Sequence, residues 1–275
     1  MDPQFASKGL VDALDTLKMP ELLPNLLDGT SAATQGAVAK LLAAMLQHEE
    51  YRELLGKVDL LEPLLAALKS SSTETKVNAV STIGTLTLTE PGRDKLRRSG
   101  GLDALIDVLL SAASEKLQEV TCQVLANMCE DATDDWRQMA ENGATFALVG
   151  MLQGANLALQ EAALTLLAML CGHDSCRDQV ADAGCMPALC VLLSSSRPSV
   201  QAPALALTQE LCSSRVACLT LLECGAASPL AAMLGQSSIS NTEIAAATLE
   251  CLQALSQAGL PQTQTAVRNA GVVPS

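Results

Sequence analysis

Residues 183–193 read Ala-Gly-Cys-Met-Pro-Ala-Leu-Cys-Val-Leu-Leu, and this stretch decides the fold. Glycine adopts the left-handed conformation at a helix end without a steric penalty, and a proline three residues later suits the first turn of a new helix. Apolar residues then recur at helical spacing up to the pair Leu192-Leu193. The stretch therefore predicts the end of one helix and the start of another, short helix of about eight to ten residues.

The same signal recurs along the chain at a nearly constant interval. Gly100, Gly143, Gly184, Gly225 and Gly271 lie 43, 41, 41 and 46 residues apart. After each short helix, the pattern predicts a polar turn, a longer helix of small apolar residues and a short closing helix. The long helices are predicted over 117–129, 157–171 and 200–212, and the closing helices over 136–142, 176–183 and 216–224. We therefore expect three-helix repeats, no β-sheet, and helix over well more than half of the chain.

The interval predicts six repeats over residues 20–271, with units near 20–59, 60–100, 101–143, 144–184, 185–225 and 226–271. Asp59 takes the place of the glycine at the end of the first unit. Residues 1–19 hold one further predicted helix, over 7–18, which would cap the open end of the stack. Residues 272–275 restart the pattern, so we expect the natural polypeptide to continue into a seventh repeat.

Composition narrows the class of partner. The formal net charge of −13 opposes binding to phosphate backbones, and an aromatic content of 1% leaves few platforms on which bases could stack. No run of about 18 apolar residues predicts a membrane span, and no charged and apolar leader predicts secretion. We therefore expect protein partners, with basic segments permitted by the charge, and neither nucleic acid nor membrane insertion.

Ten cysteines stand in a helical context rather than in a metal-binding pattern. Cys129, Cys171 and Cys212 share one register at the end of the long helices, at spacings of 42 and 41 residues. There is no C-x-x-C, and the chain has only two histidines. The pattern predicts that these three cysteines are buried, reduced thiols that face adjacent repeats, and that the chain holds no zinc or disulfide framework. So many free thiols indicate a reducing, cytoplasmic compartment.

No recognised catalytic pattern is present, and no catalytic, cofactor-binding or metal-ligating residue is predicted. Residues 173–176, His-Asp-Ser-Cys, contain suggestive residue types, but consecutive residues on a turn cannot form a catalytic triad. We interpret Asp174 or Ser175 as the cap of the following helix.

Two charge clusters stand next to closing helices. The basic cluster comprises Arg93, Lys95, Arg97 and Arg98, and the acidic cluster comprises Glu130, Asp131, Asp134 and Asp135. Cations near a helix C-terminus and anions near an N-terminus are each favoured by the helix dipole. A patch for a partner, or a pair that bridges adjacent repeats, is the alternative interpretation.

Pro203 lies inside the predicted long helix of the fifth repeat. A proline in a helix interior costs about 3 kcal/mol, but almost nothing in the first turn. The sequence therefore predicts a helix that begins at Val200 or later with Ser199 as its N-cap. The helix would be shortened or bent and would open the surface beside Ala206 and Glu210.

The period, the three-helix unit and junctions such as Asn142-Gly143 and Asn269-Ala270-Gly271 resemble the armadillo-repeat family, from about residue 20 to residue 275. The resemblance implies an all-α fold, a right-handed superhelix of three-helix repeats. It also implies that the long third helices line a groove that binds extended segments of partner proteins.

Two specialised members of the family can be tested on single positions. Importin-α binds basic localisation signals through a Trp-x-x-x-Asn pattern, and here the tryptophan places hold Ser81, Gln123, Thr165, Ala206 and Glu250. The asparagine places hold Thr85, Asn127, Met169, Glu210 and Ala254, so Asn127 alone matches. Grooves of the β-catenin type carry Lys and Arg, which these positions lack.

We therefore expect a non-catalytic scaffold or adaptor in a cytoplasmic, cytoskeletal or ciliary assembly. The alternatives are a nuclear-transport adaptor for basic signals and the armadillo segment of a larger enzyme. The predicted groove residues are Ser81, Thr85, Gln123, Asn127, Thr165, Met169, Ala206 and Glu210.

Overall fold

The computed structural model describes residues 18–27, 31–46, 48, 51, 55, 59–111, 114–129, 133–237 and 242–258. These residues form sixteen helices and no strand, in agreement with the predicted all-α fold. The predicted helix over 7–18, apart from its last residue, lies outside the described residues, as do Gly271 and the predicted start of a seventh repeat. No single described helix has the length and apolar composition to cross a membrane. Among the described helices, only the pair Arg215–Glu223 and Ala227–Gly235 reaches that length and composition together, and these two helices meet at 85°.

The chain divides into two compact units, residues 1–131 and residues 132–275. The first unit contains α1 (Met19–Leu27), α2 (Ala32–Met45), α3 (Leu61–Ala67), α4 (Thr73–Leu86), α5 (Glu90–Arg98), α6 (Gly101–Ser111) and α7 (Glu115–Met128). The second unit contains α8 (Thr133–Glu141), α9 (Ala144–Leu152), α10 (Leu157–Cys171), α11 (Asp174–Asp182), α12 (Met186–Leu193), α13 (Pro198–Leu211), α14 (Arg215–Glu223), α15 (Ala227–Ser237) and α16 (Thr242–Ala258).

The helices repeat in a fixed order. Counted from each glycine, a short helix is followed by a long one and then by a closing helix of nine residues, for example α9, α10 and α11. If each repeat is counted from its closing helix instead, the order is closing helix, short helix and long helix, so the long helix is the third of the three. The predicted long helices over 117–129, 157–171 and 200–212 agree with α7, α10 and α13 to within two residues at each end.

The repeat junctions have the backbone geometry that the glycine pattern predicts. Gly100, Gly143, Gly184 and Gly225 have φ angles of +67°, +85°, +79° and +84°. A side chain at these positions would be strained by the left-handed conformation alone, so glycine ends each repeat at no steric cost. The residue that follows is small and buried in every case: Gly101, Ala144, Cys185 and Ala226.

Glycines also bring successive long helices of the first unit close together. Helix α4 packs against both α2 and α7. A Cβ atom on Gly36 would lie 2.8 Å from Oγ1 of Thr75, and one on Gly84 would lie 2.8 Å from Cγ2 of Val124. The hydroxyl of Thr82 donates to the carbonyl of Ala39, at 3.1 Å, in this tight contact. Within the first unit, long helices therefore stack directly on one another from repeat to repeat.

A glutamine near the start of the long helix joins it to the preceding short helix. The side-chain amide of Gln160 donates to the carbonyls of Leu152 and Gly154, at 3.0 and 2.8 Å. Gln201 repeats the contact with the carbonyl of Leu193, at 3.0 Å, 41 residues further on. Gln35 makes the same contact with the carbonyl of Leu27, at 2.8 Å. The glutamine thus pairs carbonyls that the end of the short helix leaves without an intrahelical partner.

A second repeated bond holds the turn after the long helix. Arg93 donates to the carbonyl of Thr87 at 2.9 Å, and Arg177 donates to the carbonyl of Cys171 at 3.1 Å, in each case six residues back. Cys218 takes the arginine's place, and its thiol lies 3.3 Å from the carbonyl oxygen of Cys212. The basic cluster predicted from the sequence is therefore partly structural, since Arg93 is buried.

The prediction for Pro203 is wrong in two respects. Helix α13 begins at Pro198, with Arg197 as its N-cap, so Ser199 lies inside the helix and does not cap it. The helix has 14 residues, as α4 and α7 do, and is not shortened. Pro198 explains the early start, because its fixed φ and missing N–H suit the first helical position. Pro203 removes the bond to the carbonyl of Ser199, which belongs to an exposed residue that water can reach.

Candidate protein-binding surface of the long helices

The second unit carries four of the predicted groove residues, Thr165 and Met169 on α10 and Ala206 and Glu210 on α13. Helix α13 packs against α10 and against α16. Residues four apart on each helix share one side of it. The resulting long-helix face consists of Glu161, Thr165 and Met169 on α10, Ala202, Ala206 and Glu210 on α13, and Ala246, Glu250 and Ala254 on α16. All nine residues are exposed or half-buried.

The long-helix face is acidic, and it carries one glutamate on each helix. Glu161 and Glu250 are exposed, and Glu210 is half-buried. Helices α10, α13 and α16 contain no lysine and no arginine, so no cation within them neutralises these carboxylates. The other six side chains are small or uncharged. The face therefore combines a negative potential with room for the side chains of a partner.

Glu250 is held in place by the neighbouring long helix. The side-chain amide of Gln209 donates to Oε2 of Glu250 at 3.0 Å, which joins α13 to α16. Next to this bond, a cleft of about 180 Å³ is lined by Gln209, Cys212, Ser213, Glu250, Cys251 and Ala254. Sequence analysis did not identify Gln209, because only the packed structure shows that it contacts Glu250.

The thiols behind the long-helix face agree with the sequence in part. All ten cysteines are free, and Cys129 and Cys171 are buried as predicted, but Cys212 is half-buried because it lines the cleft. The hydrogen bond with the Cys218 thiol lowers the pKa of Cys212. Cys251 and burial outweigh this effect and raise the pKa of Cys212 to about 12. Burial, and then Cys185, raises the pKa of the Cys171 thiol, and Arg177 opposes this only in part.

No group of three or more His, Cys, Asp or Glu side chains within the described ranges is arranged to hold a metal ion. The turn at residues 173–176 is capped differently from the prediction. His173 is the N-cap of α11 and makes no side-chain cap bond, so neither Asp174 nor Ser175 caps the helix. Asp174 is the first helical residue, where its carboxylate accepts from Arg177 at 2.7 Å.

The first unit presents its predicted groove residues on α4 and α7. Gln123 is exposed, whereas Ser81, Thr85 and Asn127 are half-buried. The Thr85 hydroxyl donates to the carbonyl of Ser81 at 3.2 Å. The side-chain amide of Asn127 donates to the carbonyl of Gly84 at 3.4 Å, so it joins α7 to α4. Asn127, the one match to the importin-α pattern, therefore already serves a structural contact.

Comparisons with known proteins agree with this architecture. The family model described as the armadillo/beta-catenin-like repeat matches residues 89–130 and 173–213. Both ranges begin at the N-cap of a closing helix and end just after a long helix, so the model's unit starts one helix earlier than the glycine-based units. Among curated proteins, no sequence matches the chain.

Solved structures that resemble the chain include several engineered proteins. A designed armadillo repeat protein, YIII(Dq)4CqI, has 23% sequence identity and a TM-score of 0.75, over 86% of this chain and 99% of that one. A second design, YIII(Dq.V1)4CPAF in complex with the peptide (KR)4, has 22% identity and a TM-score of 0.72, over 86% and 98% of the two chains. An engineered protein of the Northeast Structural Genomics Consortium has 21% identity and a TM-score of 0.75, over 87% and 97%.

These structural matches are too distant in sequence to show more than the fold, which is that of the armadillo solenoids. The family model adds two repeats that are recognisable by sequence alone. Neither comparison selects a subfamily. With its glycine-ended, three-helix repeats and its stacked long helices, the chain has the armadillo-repeat fold, and two of its repeats match the family model for the armadillo/beta-catenin-like repeat.

Proposed function

We propose that the protein binds extended, basic segments of partner proteins along the long-helix face of α10, α13 and α16. The observation that carries the proposal is the placement of Glu161, Glu210 and Glu250, one carboxylate on each of three consecutive long helices that carry no cation. Such a face attracts lysine and arginine side chains and repels acidic segments.

The spacing of the helices fits an extended chain. Alternate side chains of an extended peptide point to the same side and lie about 7 Å apart. The axes of packed helices are separated by roughly 8–10 Å. A peptide that crosses the three helices therefore places roughly one side chain on each helix, if only the side of the peptide that faces the protein is counted. Small residues such as Ala202 and Ala206 leave room for the stems of those side chains.

The armadillo fold supports the general class of function, a scaffold that binds proteins or peptides. The designed relative whose structure contains the peptide (KR)4 shows that a solenoid of this fold accommodates a basic peptide. The ten free thiols suit a reducing compartment, and on that ground we propose a cytoplasmic location. Within it, we propose a non-catalytic scaffold of a cytoskeletal or ciliary assembly.

A nuclear-transport adaptor is the second candidate, and an armadillo segment of a larger enzyme is the third. A nuclear-transport adaptor would also bind basic peptides. In this chain, however, Asn127 donates to the carbonyl of Gly84, and none of the tryptophan places of the importin-α pattern holds a tryptophan. The scaffold is therefore the better-supported proposal.

The test is direct binding of fluorescein-labelled (KR)4 to the purified chain, measured by fluorescence anisotropy. We expect an affinity that weakens steeply as salt rises, because exposed charges are screened. The double variant Glu210→Gln, Glu250→Gln should weaken binding by roughly tenfold, since each of the two carboxylates contributes about 0.5–1 kcal/mol. A (Ser-Gln)4 peptide of the same length should not bind.

The matched control is the double variant Asp103→Asn, Asp107→Asn, which removes the same charge from exposed positions on α6. It should leave the affinity for (KR)4 within twofold of the wild-type value. Equal losses in both double variants would mean that the peptide responds only to net charge, and the long-helix face would then not be its site. Circular dichroism checks that each variant is folded.

A further inference from the structure

The short helices of the second unit lack charge. Helices α9, α12 and α15 contain no Asp, Glu, Lys or Arg, although the whole chain has a net charge of −13. Their counterparts in the first unit, α3 and α6, carry the exposed acids Glu62, Asp103 and Asp107. An uncharged surface on three consecutive repeats is therefore a property of the second unit and not of the repeat as such.

The exposed side chains of α9 and α12 are apolar. Val191 is 71% exposed and Phe146 is 68% exposed. Pro187 is also exposed, one turn before Val191 on α12. We call Phe146, Pro187, Val191 and Pro229 the uncharged face. Phe146 is one of only two phenylalanines in the chain, and aromatic residues are enriched where proteins bind one another.

Two clefts flank α12 on this face. The first, of about 420 Å³, is lined by Gln153 and Gly154 after α9, by Gly184 before α12 and by Ala188 on α12, among others. The second, also of about 420 Å³, lies between α12 and the start of α15. Pro187 and Val191 line both clefts, so they form a ridge between two recesses, each larger than a single apolar side chain.

A row of three carboxylates recurs along the second unit, and two of its members stand close in sequence to residues that line the clefts. Glu141, Asp182 and Glu223 are exposed, lie 41 residues apart, and are the last residues of α8, α11 and α14. Asp182 stands two residues before Gly184, which lines the first cleft, and Glu223 stands next to Cys224, which lines the second.

The position of this acidic row is unfavourable for stability. The C-terminal end of a helix is its negative end, where a carboxylate costs up to about 1 kcal/mol and a cation is favoured. The first unit follows that rule, since the equivalent residue at the end of α5 is Arg98. Helix stability therefore does not account for three acids at this position, whereas attraction of a basic partner does.

We propose that the uncharged face and the acidic row together bind an amphipathic helix of a partner protein, whose apolar side chains enter the two clefts and whose lysines or arginines meet Glu141, Asp182 and Glu223. Clefts on either side of one helix are separated by about the interaxial distance of 8–10 Å. Side chains seven residues apart on a helix lie about 10.5 Å apart on one side of it. A helix with leucines at that spacing therefore reaches both clefts across the ridge.

The probe is a synthetic helical peptide of about 18 residues with leucines seven apart and lysines along one flank. A scrambled peptide of the same composition is its control. We expect saturable binding of the probe to the full chain by fluorescence anisotropy, and at least tenfold weaker binding of the scrambled peptide. Val191→Glu should weaken probe binding at least tenfold, because it places a charge on the ridge. Val216→Glu is the matched control, since Val216 is 73% exposed on α14, and it should change the affinity less than twofold.

The acidic row is tested separately with Asp182→Lys, Glu223→Lys, which should weaken the probe several-fold, and with Glu62→Lys as the single-charge control on α3. Equal affinity of Val191→Glu and wild type for the probe overturns the proposal, as does equal binding of the scrambled peptide.

Two other occupants would also overturn it. One is a membrane, if phosphatidylcholine vesicles cosediment with wild type but not with Val191→Glu. The other is a second copy of the chain, if sedimentation shows a dimer that Val191→Glu dissociates.

Discussion

At the scale of single residues, the hydroxyl of Thr145 shows how one atom can lower stability. Thr145 is buried at the start of α9, and within the described part of the chain its Oγ1 has no hydrogen-bond partner. An unpaired buried hydroxyl costs about 1–3 kcal/mol. We therefore expect Thr145→Val to raise the free energy of unfolding by about 1 kcal/mol in urea titrations.

The control is Thr82→Val. The Thr82 hydroxyl is buried and donates to the carbonyls of Ala39 and Asn78, at 3.1 and 2.8 Å. Its loss should lower the free energy of unfolding by about 0.5–1.5 kcal/mol. A stabilising Thr82→Val, or a destabilising Thr145→Val, would contradict the assignment of the two hydroxyls.

Buried thiols make the fold sensitive to alkali. Burial, and then Glu119, raises the pKa of the Cys122 thiol from its ordinary value of 9.0 to about 12, and burial raises that of Cys185 to about 12. Above pH 9 the unfolded chain loses these protons while the folded chain keeps them, so the free energy of unfolding falls as pH rises towards 12. Each such thiol should lower the free energy of unfolding by about 1.4 kcal/mol at pH 10 and by almost nothing at pH 8.

The measurement compares urea titrations of wild type and Cys122→Ala at the two pH values. The variant is expected to lose about 1.4 kcal/mol less than wild type between pH 8 and pH 10, whatever its stability at pH 8. If both proteins lose the same amount, the thiol of Cys122 does not titrate differently in the folded and unfolded states.

At the scale of the element, Pro203 is the residue whose effect the sequence misjudged. The sequence placed it in a first turn capped by Ser199, but α13 begins at Pro198 and Pro203 is its sixth residue. Pro198 starts the helix, because its fixed φ and missing N–H suit the first helical position, and α13 has the same length as α7. Reading Pro198 as a residue before the helix placed the predicted start two residues too late.

Replacing Pro203 by alanine should therefore stabilise the protein. Pro203→Ala restores an N–H opposite the carbonyl of Ser199 and removes the crowding of the ring, which together are worth about 1–3 kcal/mol. Pro198→Ala is the matched control and should change the free energy of unfolding by a few tenths of a kcal/mol at most, because proline suits the first helical position. Similar effects of the two substitutions in urea titrations would argue against the observed helix start.

The glutamine contact between short and long helices is the second feature of this scale. Gln160→Ala leaves the carbonyls of Leu152 and Gly154 without their side-chain donor and should cost about 1–3 kcal/mol. Gln153→Ala, at an exposed position, should stay within about 0.5 kcal/mol of wild type. Equal costs would show that the contact does not contribute to stability.

The sequence predicted the helices themselves much better than these contacts. The glycine spacing located the junctions at Gly100, Gly143, Gly184 and Gly225, because a left-handed helix end requires a particular residue. Gln160 and Gln201 are also 41 residues apart, so their spacing was visible, but their acceptors are backbone carbonyls that leave no trace in the sequence. For the candidate surface, the spacing of the repeats predicts which residues occupy equivalent positions on successive long helices. It does not predict the hydrogen bond between Gln209 and Glu250.

At the scale of the whole molecule, charge is the dominant property. With 30 acidic and 17 basic residues, the folded chain repels itself, and Glu161, Glu210 and Glu250 concentrate that repulsion on the long-helix face. Raising NaCl from about 20 mM to about 300 mM should therefore raise the urea midpoint, because screening relieves the repulsion. In the triple variant Glu161→Gln, Glu210→Gln, Glu250→Gln, the same increase in NaCl should raise the urea midpoint by less than it does in wild type. A midpoint that falls with salt would mean that ion pairs outweigh the repulsion.

The buried small residue after each junction glycine has a consequence for the gene. Cys185 and Ala226 both follow a left-handed glycine, and both are fully buried. An in-frame loss of the 41 codons for residues 185–225 would place Ala226 directly after Gly184, a junction chemically like the one already present. Helix α16 would then meet α10 in place of α13. Changes in the number of repeats are thus possible in whole steps, whereas the loss of a few codons inside a long helix would rotate the buried side chains of that helix away from its neighbours.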